Sequence, residues 1–256
     1  MDFEFKDKYD ISDLLEIVKI LRSENGCPWD KVQTHESIRT DLIEEAYEVC
    51  EGIDANSPEM LREELGDLLL QVAFHSQIET ENGNFSFDDV CNEICSKLIF
   101  RHPHVFGEVK ADTEEQVLKN WDALKKTEKH QESFTQTLES VPKNFPALLR
   151  GQKITRRAER AGLPINNAEQ CIDKIKQGLD ALVCDSDEEN IAQNQQIIGN
   201  LLFCFCNLSR ILKIDSEKAL TYAINRFIMT FKAVEFGGST LDKLSDDELA
   251  KLTESL

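Results

Sequence analysis

Residues 36–54, ESIRTDLIEEAYEVCEGID, and residues 57–73, SPEMLREELGDLLLQVA, decide the fold. In the first stretch, Ile38, Leu42, Ile43, Ala46, Val49, Cys50 and Ile53 recur at steps of three and four. That spacing brings them to one face of a helix. In the second, Ser57 supplies a helix cap, and Pro58 suits a first turn, where its missing N–H is no loss. Leu61, Leu65, Leu68, Leu69, Val72 and Ala73 then form a second apolar stripe. Two successive amphipathic helices are predicted.

The same pattern extends outward in both directions. Leu14, Leu15, Val18 and Leu21 mark a helix over 12–22, and Ser86 caps one bearing Val90, Ile94, Leu98 and Ile99. Thr113 and Gln116 form a capping box before Val117, Trp121 and Leu124. Five helices are therefore expected in the first half. Further helical patterns run over 147–162, 168–184, 188–213 and 216–234, with a short capped helix from Ser245. Glycine (11) and proline (6) are sparse, and no segment alternates like a half-buried strand. The fold class is all-α. Residues 128–146 are polar and hold Pro142 and Pro146, so they read as a connector. The expected organisation is a helical domain at 1–130, a linker at 131–146 and a second helical domain at 147–256.

Charge narrows the partners. The 256 residues carry 48 acidic and 29 basic side chains, a net charge of -19. Nucleic acid binding needs clustered Lys and Arg, so no nucleic acid partner is expected. An anionic membrane surface would repel the chain too. No apolar run approaches the roughly 20 residues of a membrane span, and MDFEFKDKYD has no signal-peptide pattern. A cytoplasmic location is expected. The eight cysteines form no C-x-x-C and no zinc-finger spacing, and they read as reduced, small core residues.

The chemistry is concentrated in the two helices quoted first. Glu44, Glu45 and Glu48 lie on one, and Glu63, Glu64 and Asp67 on the next. Positions three or four apart share a helix face. Glu45 runs in line with Ile38, Leu42 and Val49, and Glu64 stands among Leu61, Leu65 and Leu68. Carboxylates beside an apolar stripe are costly to desolvate unless a cation neutralises them. For Glu44 and Glu63 a solvated acidic face competes with that reading. For Glu45, Glu48, Glu64 and Asp67 a hard divalent cation is favoured. A di-iron bundle would show E-x-x-H, which is absent, so Mg²⁺, or Mn²⁺ in its place, leads. Phosphate charge could be met by Lys31, Lys97 and Arg101. Trp29 could stack on a base or anchor its loop.

These segments resemble the MazG nucleoside triphosphate pyrophosphohydrolases. NGCPWDKVQT at 25–34, IEEAYE at 43–48, EELGDLLL at 63–70, RHPHVF at 101–106 and NWDALK around Asn120 and Trp121 carry the likeness. The resemblance implies an all-α homodimer and Mg²⁺-dependent cleavage of nucleoside triphosphates to monophosphate and pyrophosphate. It also implies that Glu45, Glu48, Glu64 and Asp67 occupy metal-ligand positions. The residues agree: carboxylate-held metal can activate water and neutralise a leaving pyrophosphate without a Ser, Cys or His nucleophile. Glu44, beside Glu45 and one turn from Glu48, could orient the water. No G-x-x-x-x-G-K-[ST] loop is present, which excludes a P-loop NTPase.

Sliding the chain by 133 residues overlays the two halves. Leu42 falls on Ile175, Val49 on Leu182, Gly66 on Gly199 and Leu68 on Leu201, so the apolar frame is kept. The acids are not kept. Glu44 becomes Gln177, Glu45 Gly178, Glu48 Ala181, Glu64 Ile197 and Asp67 Asn200. The second half reads as a degenerate MazG-like bundle without a metal site. Two functions remain open on the sequence: a hydrolase acting at the first-half site in nucleotide-pool housekeeping, or a non-catalytic nucleotide- or metal-binding regulatory dimer.

Overall fold

The computed structural model describes residues 3–110, 133–184 and 187–236, with isolated positions between 113 and 124 and at 244–245. Every regular element among the described residues is helical, as the apolar periodicity requires. Residues divide into two compact units at Leu124 and Lys125.

The first unit holds α1 (Ile11–Arg22), α2 (Arg39–Asp54), α3 (Pro58–Asn82), α4 (Phe87–Arg101) and the single turn α5 (Pro103–Phe106). Asp10 starts α1 by accepting from Ser12 N and Asp13 N, and Asp13 returns a bond to Asp10 N. The Ser57 hydroxyl accepts from Met60 N at the start of α3, and Gly83, at φ 76°, ends it in the left-handed region. Three residues join α2 to α3, so the two run in opposite directions and pack along their lengths. Gly52 makes this possible: a Cβ there would stand 3.0 Å from the Leu61 backbone nitrogen. The core forms where α1 crosses this pair. Val18, Ile38, Ala73, Phe74 and Ile78 are buried together, with Leu14, Leu15 and Leu70 against them. Each of the larger side chains among them contributes about 1.5–3 kcal/mol on burial.

The second unit contains α6 (Phe134–Glu139), α7 (Ala147–Arg160), α8 (Ala168–Asp180), α9 (Glu188–Ile211) and α10 (Ser216–Phe236). α9 packs on both α7 and α8, and α10 on α7. Gln152 ties the last turn together, donating to Ile214 O at 2.7 Å and accepting from Ser216 N at 3.2 Å. Residues 131–146, read from sequence as a linker, include the helix α6 and the fully buried Val141. The Arg157 guanidinium donates to Thr137 O and to the Ser140 hydroxyl, which fastens this polar stretch onto α7. Its low hydrophobicity hid a helix held by side-chain hydrogen bonds.

All eight cysteines carry free thiols, with Cys171 and Cys206 buried. No single helix among the described residues is long and apolar enough to cross a membrane. Most of the helix expected after Thr113, and the one from Ser245, lie outside the described residues.

Candidate active site

The α2–α3 hairpin brings carboxylates from both of its helices to one place. Glu45 and Glu48, on successive turns of α2, and Glu64 on α3 each present an oxygen within 4.8 Å of the other two. Glu45 and Glu64 are half-buried and Glu48 is exposed. Partial desolvation, followed by the charges of Asp67, Glu48 and Glu64, holds the Glu45 carboxyl above the ordinary carboxylate range. Desolvation, then Glu48, Glu63 and Asp67, does the same to Glu64. Asp67 thus acts on both half-buried acids, although it stands outside the tight trio. Glu44 is exposed on α2 and also outside it.

Every charged neighbour acting on Glu45 and Glu64 is another carboxylate. Like charges at this spacing drive up proton affinity, and a cation would relieve them equally well. An all-oxygen donor set from two rigid helices fits a hard divalent ion such as Mg²⁺, which takes one or two carboxylates and leaves positions for phosphate and water. The residues therefore fit the metal.

The candidate phosphate-binding groups are placed around the first unit. Lys97 and Arg101 are half-buried one turn apart on α4, which packs against α3. Lys31 is exposed in a short 3₁₀ turn, Asp30–Val32, with its ammonium 3.4 Å from Glu24 O. Trp29 precedes that turn and is 60% exposed. It is a presented ring, not a packed anchor.

What holds this loop was not visible in the sequence. Arg22, at the end of α1 and 5% exposed, donates to Asp30 O at 2.8 Å and Gln33 O at 3.1 Å. The same guanidinium pairs with both oxygens of Glu81 at 2.9 and 2.8 Å and lies over the Phe74 ring. At the loop's far end, His35 Nδ1 lies 2.7 Å from His75 Nδ1, and His35 Nε2 lies 2.6 Å from Glu79. Burial, then the neighbouring His35, pushes His75 below the usual histidine range, while the bonds from His35, Asn84 and Asn82 hold Glu79 low. A basic residue in a last helical turn reads as complementing the helix dipole, so Arg22 gave no distinct signal. His35 and His75, forty residues apart, share no motif. His102 has a turn-fixing role, since its Nδ1 meets Leu98 O at 2.6 Å between α4 and α5.

The helices that carry the trio fall inside the segment, residues 33–106, that matches the MazG nucleotide pyrophosphohydrolase domain. Similarity continues through both units. The nucleoside triphosphate pyrophosphohydrolase of Escherichia coli (strain K12) is 39% identical over 228 residues, covering 88% of this chain and 87% of that protein. The chain belongs to the MazG family. The nucleoside triphosphate pyrophosphohydrolase/pyrophosphatase MazG of Thermotoga maritima is also 39% identical, over 246 residues, with 94% of this chain and 93% of that protein covered. The uncharacterized protein YabN of Bacillus subtilis (strain 168) is 39% identical over 228 residues, covering 89% of this chain and 46% of that protein.

Within this MazG chain the positions 133 residues on from the acids lie on α8 and α9. Gln177 and Gly178 close α8, Ala181 caps it, and Ile197 and Asn200 face them from α9. A Cβ at Gly178 would stand 2.7 Å from Leu201 Cδ2. Leu201 occupies the space a ligand side chain would need there.

Proposed function

We propose that this protein is a Mg²⁺-dependent nucleoside triphosphate pyrophosphohydrolase, releasing monophosphate and pyrophosphate at the first-unit carboxylate site. The convergence of Glu45, Glu48 and Glu64 across two antiparallel helices carries the reading. The names of the Escherichia coli and Thermotoga maritima relatives support the activity. Mg²⁺, or Mn²⁺, bound there would offset phosphate charge and lower the pKa of a water.

Each residue then has a defined task. Glu45, Glu48, Glu64 and Asp67 hold the cation, and the helix pair fixes their spacing before substrate arrives, which keeps reorganisation small. Glu44, exposed beside them, orients or deprotonates the attacking water. Lys97 and Arg101 on α4 meet the phosphates. Lys31 and the presented Trp29 ring reach the nucleotide from the clamped loop. No nucleophilic side chain is needed, because water supplies the new oxygen at phosphorus and pyrophosphate leaves with its electron pair. The catalytic domain is residues 1–130, and 147–256 is a degenerate second bundle. The active species is a homodimer, supported by apolar side chains left exposed along α3 and α4, among them Leu65, Leu69, Ile94 and Leu98. Its role is clearing unwanted nucleotides in the cytoplasm.

Phosphorus NMR of the products tests the reaction. A nucleoside triphosphate should give monophosphate and pyrophosphate with Mg²⁺. Diphosphate and orthophosphate instead would refute cleavage between the α- and β-phosphates.

A further inference from the structure

The second unit holds a half-open cleft of about 760 Å³ between α7, α8 and α9. That volume is in the range of sites for small organic ligands and cofactors. Ile154, Leu163, Ile197 and Phe203 give it apolar walls. Gln177 and Asn200, both solvent-exposed, present their side-chain amides at its mouth, and neither is tied up by another side chain among the described residues. Its lining has no carboxylate, and Lys174 is its one cation among the described residues. One wall is fixed in place: Asn207 donates to Asn166 O at 3.4 Å and to Cys171 Sγ at 3.2 Å, and it accepts from Arg210 at 3.2 and 3.0 Å.

This lining offers a divalent cation no charged ligand, and a side chain at Gly178 would meet Leu201. It suits something else. Apolar walls accept a flat ring, and each side-chain amide offers a donor and an acceptor in one plane, the pattern that reads the edge of a heterocyclic base. One cation offsets at least half the charge of a monophosphate, about -1.5 to -2 at pH 7, but only about a quarter of that of a free triphosphate. We propose that the second unit is a metal-independent binding site for the nucleoside moiety of a nucleotide bearing at most one phosphate. The site is separate from the proposed hydrolytic centre, and its ligand binding does not require that centre to turn over.

The test uses the full chain in excess chelator, with adenosine, guanosine, cytidine and uridine, their 5′-monophosphates and the triphosphates. Binding is followed by calorimetry and located by alkylation of Cys204, a cavity residue, read by peptide mass spectrometry. Burial pushes the Cys204 thiol up, so alkylation is run at mildly alkaline pH. At least one nucleoside or monophosphate should bind and slow Cys204 alkylation several-fold without metal. Gln177→Ala and Asn200→Ala should weaken that binding about tenfold, the loss of one good pair of hydrogen bonds. A monophosphate that binds more tightly than its nucleoside, with the difference removed by Lys174→Ala, assigns the phosphate to Lys174. Equal affinities assign recognition to the nucleoside alone. The proposal is overturned if no nucleoside or monophosphate protects Cys204 at millimolar concentration. Protection that requires Mg²⁺, or that the free triphosphate gives best, overturns it too.

Discussion

Removing the Arg22 side chain tests how the loop carrying Trp29 and Lys31 is held. The guanidinium is 5% exposed and makes four hydrogen bonds, two to Glu81 and two to the Asp30 and Gln33 carbonyls. Arg22→Ala removes the donor to Gln33 O outright and leaves Asp30 O only the Gln33 N–H and Glu81 only Gln77. Glu81 is 39% exposed, so water recovers part of its loss. Deleting one member of a buried pair costs about 3–5 kcal/mol, and that exposure lowers the expectation to about 2–4 kcal/mol. Arg22→Lys should recover less than half, since one ammonium cannot reach Glu81 and both carbonyls together. Urea unfolding followed by circular dichroism reads the stability, and Trp29 fluorescence reads the loop. The KM for nucleoside triphosphate should rise about tenfold, equivalent to about 1.4 kcal/mol. Mg²⁺ affinity should stay unchanged, because the carboxylate trio lies on other turns. Stability within ~0.5 kcal/mol of wild type, the range of ordinary surface changes, together with an unchanged KM would refute the clamp.

Other outcomes follow from the carboxylates and from the second unit. Glu64→Ala should lower pyrophosphate release at least about a hundredfold, the scale of losing one charge-stabilising group, with the helical circular dichroism spectrum unchanged. The raised proton affinity of Glu45 and Glu64 means the metal-free fold binds protons more tightly than the unfolded chain. The stability these two groups contribute to the metal-free fold should therefore be fully present below the ordinary carboxylate range and be lost as pH rises through their raised values. Mg²⁺ affinity should run the other way. Thermal melts against pH should show that falling contribution in wild type and a reduced one in Glu45→Gln; an identical slope in both would contradict the electrostatic reading. Replacing Gln177 and Asn200 together by Ala should leave the turnover number within about twofold, well under the 1.4 kcal/mol of a tenfold change, as measured by pyrophosphate release.

Much of the fold was legible because helices declare themselves locally. The apolar steps over 36–54 and 57–73, the Ser57–Pro58 start and the Ser86 cap all depend on residues a few positions apart. The pairing of Glu45 and Glu48 with Glu64 was also readable, since a three-residue connection leaves two such helices little choice but to fold back. What the sequence withheld depends on distant partners. The Arg22 clamp joins residues 59 apart, and the His35–His75 contact joins residues 40 apart. Neither follows a period. α6 escaped notice because it is held by the Ser133 cap and by Arg157 at the Thr137 carbonyl and the Ser140 hydroxyl, not by an apolar stripe. The cavity beside Gln177 and Asn200 depends on how three helices pack, which no spacing encodes.

The central claim is that the acids of α2 and α3 form a metal-dependent hydrolytic centre. The most direct measurement is pyrophosphate release by the full chain and by Glu48→Ala, each titrated with Mg²⁺ and then with chelator. Wild-type release should rise with Mg²⁺, stop in chelator and return when Mg²⁺ is restored, while Glu48→Ala should stay folded and at background throughout. Release that persists in excess chelator, or a folded Glu48→Ala protein with wild-type turnover, would contradict it.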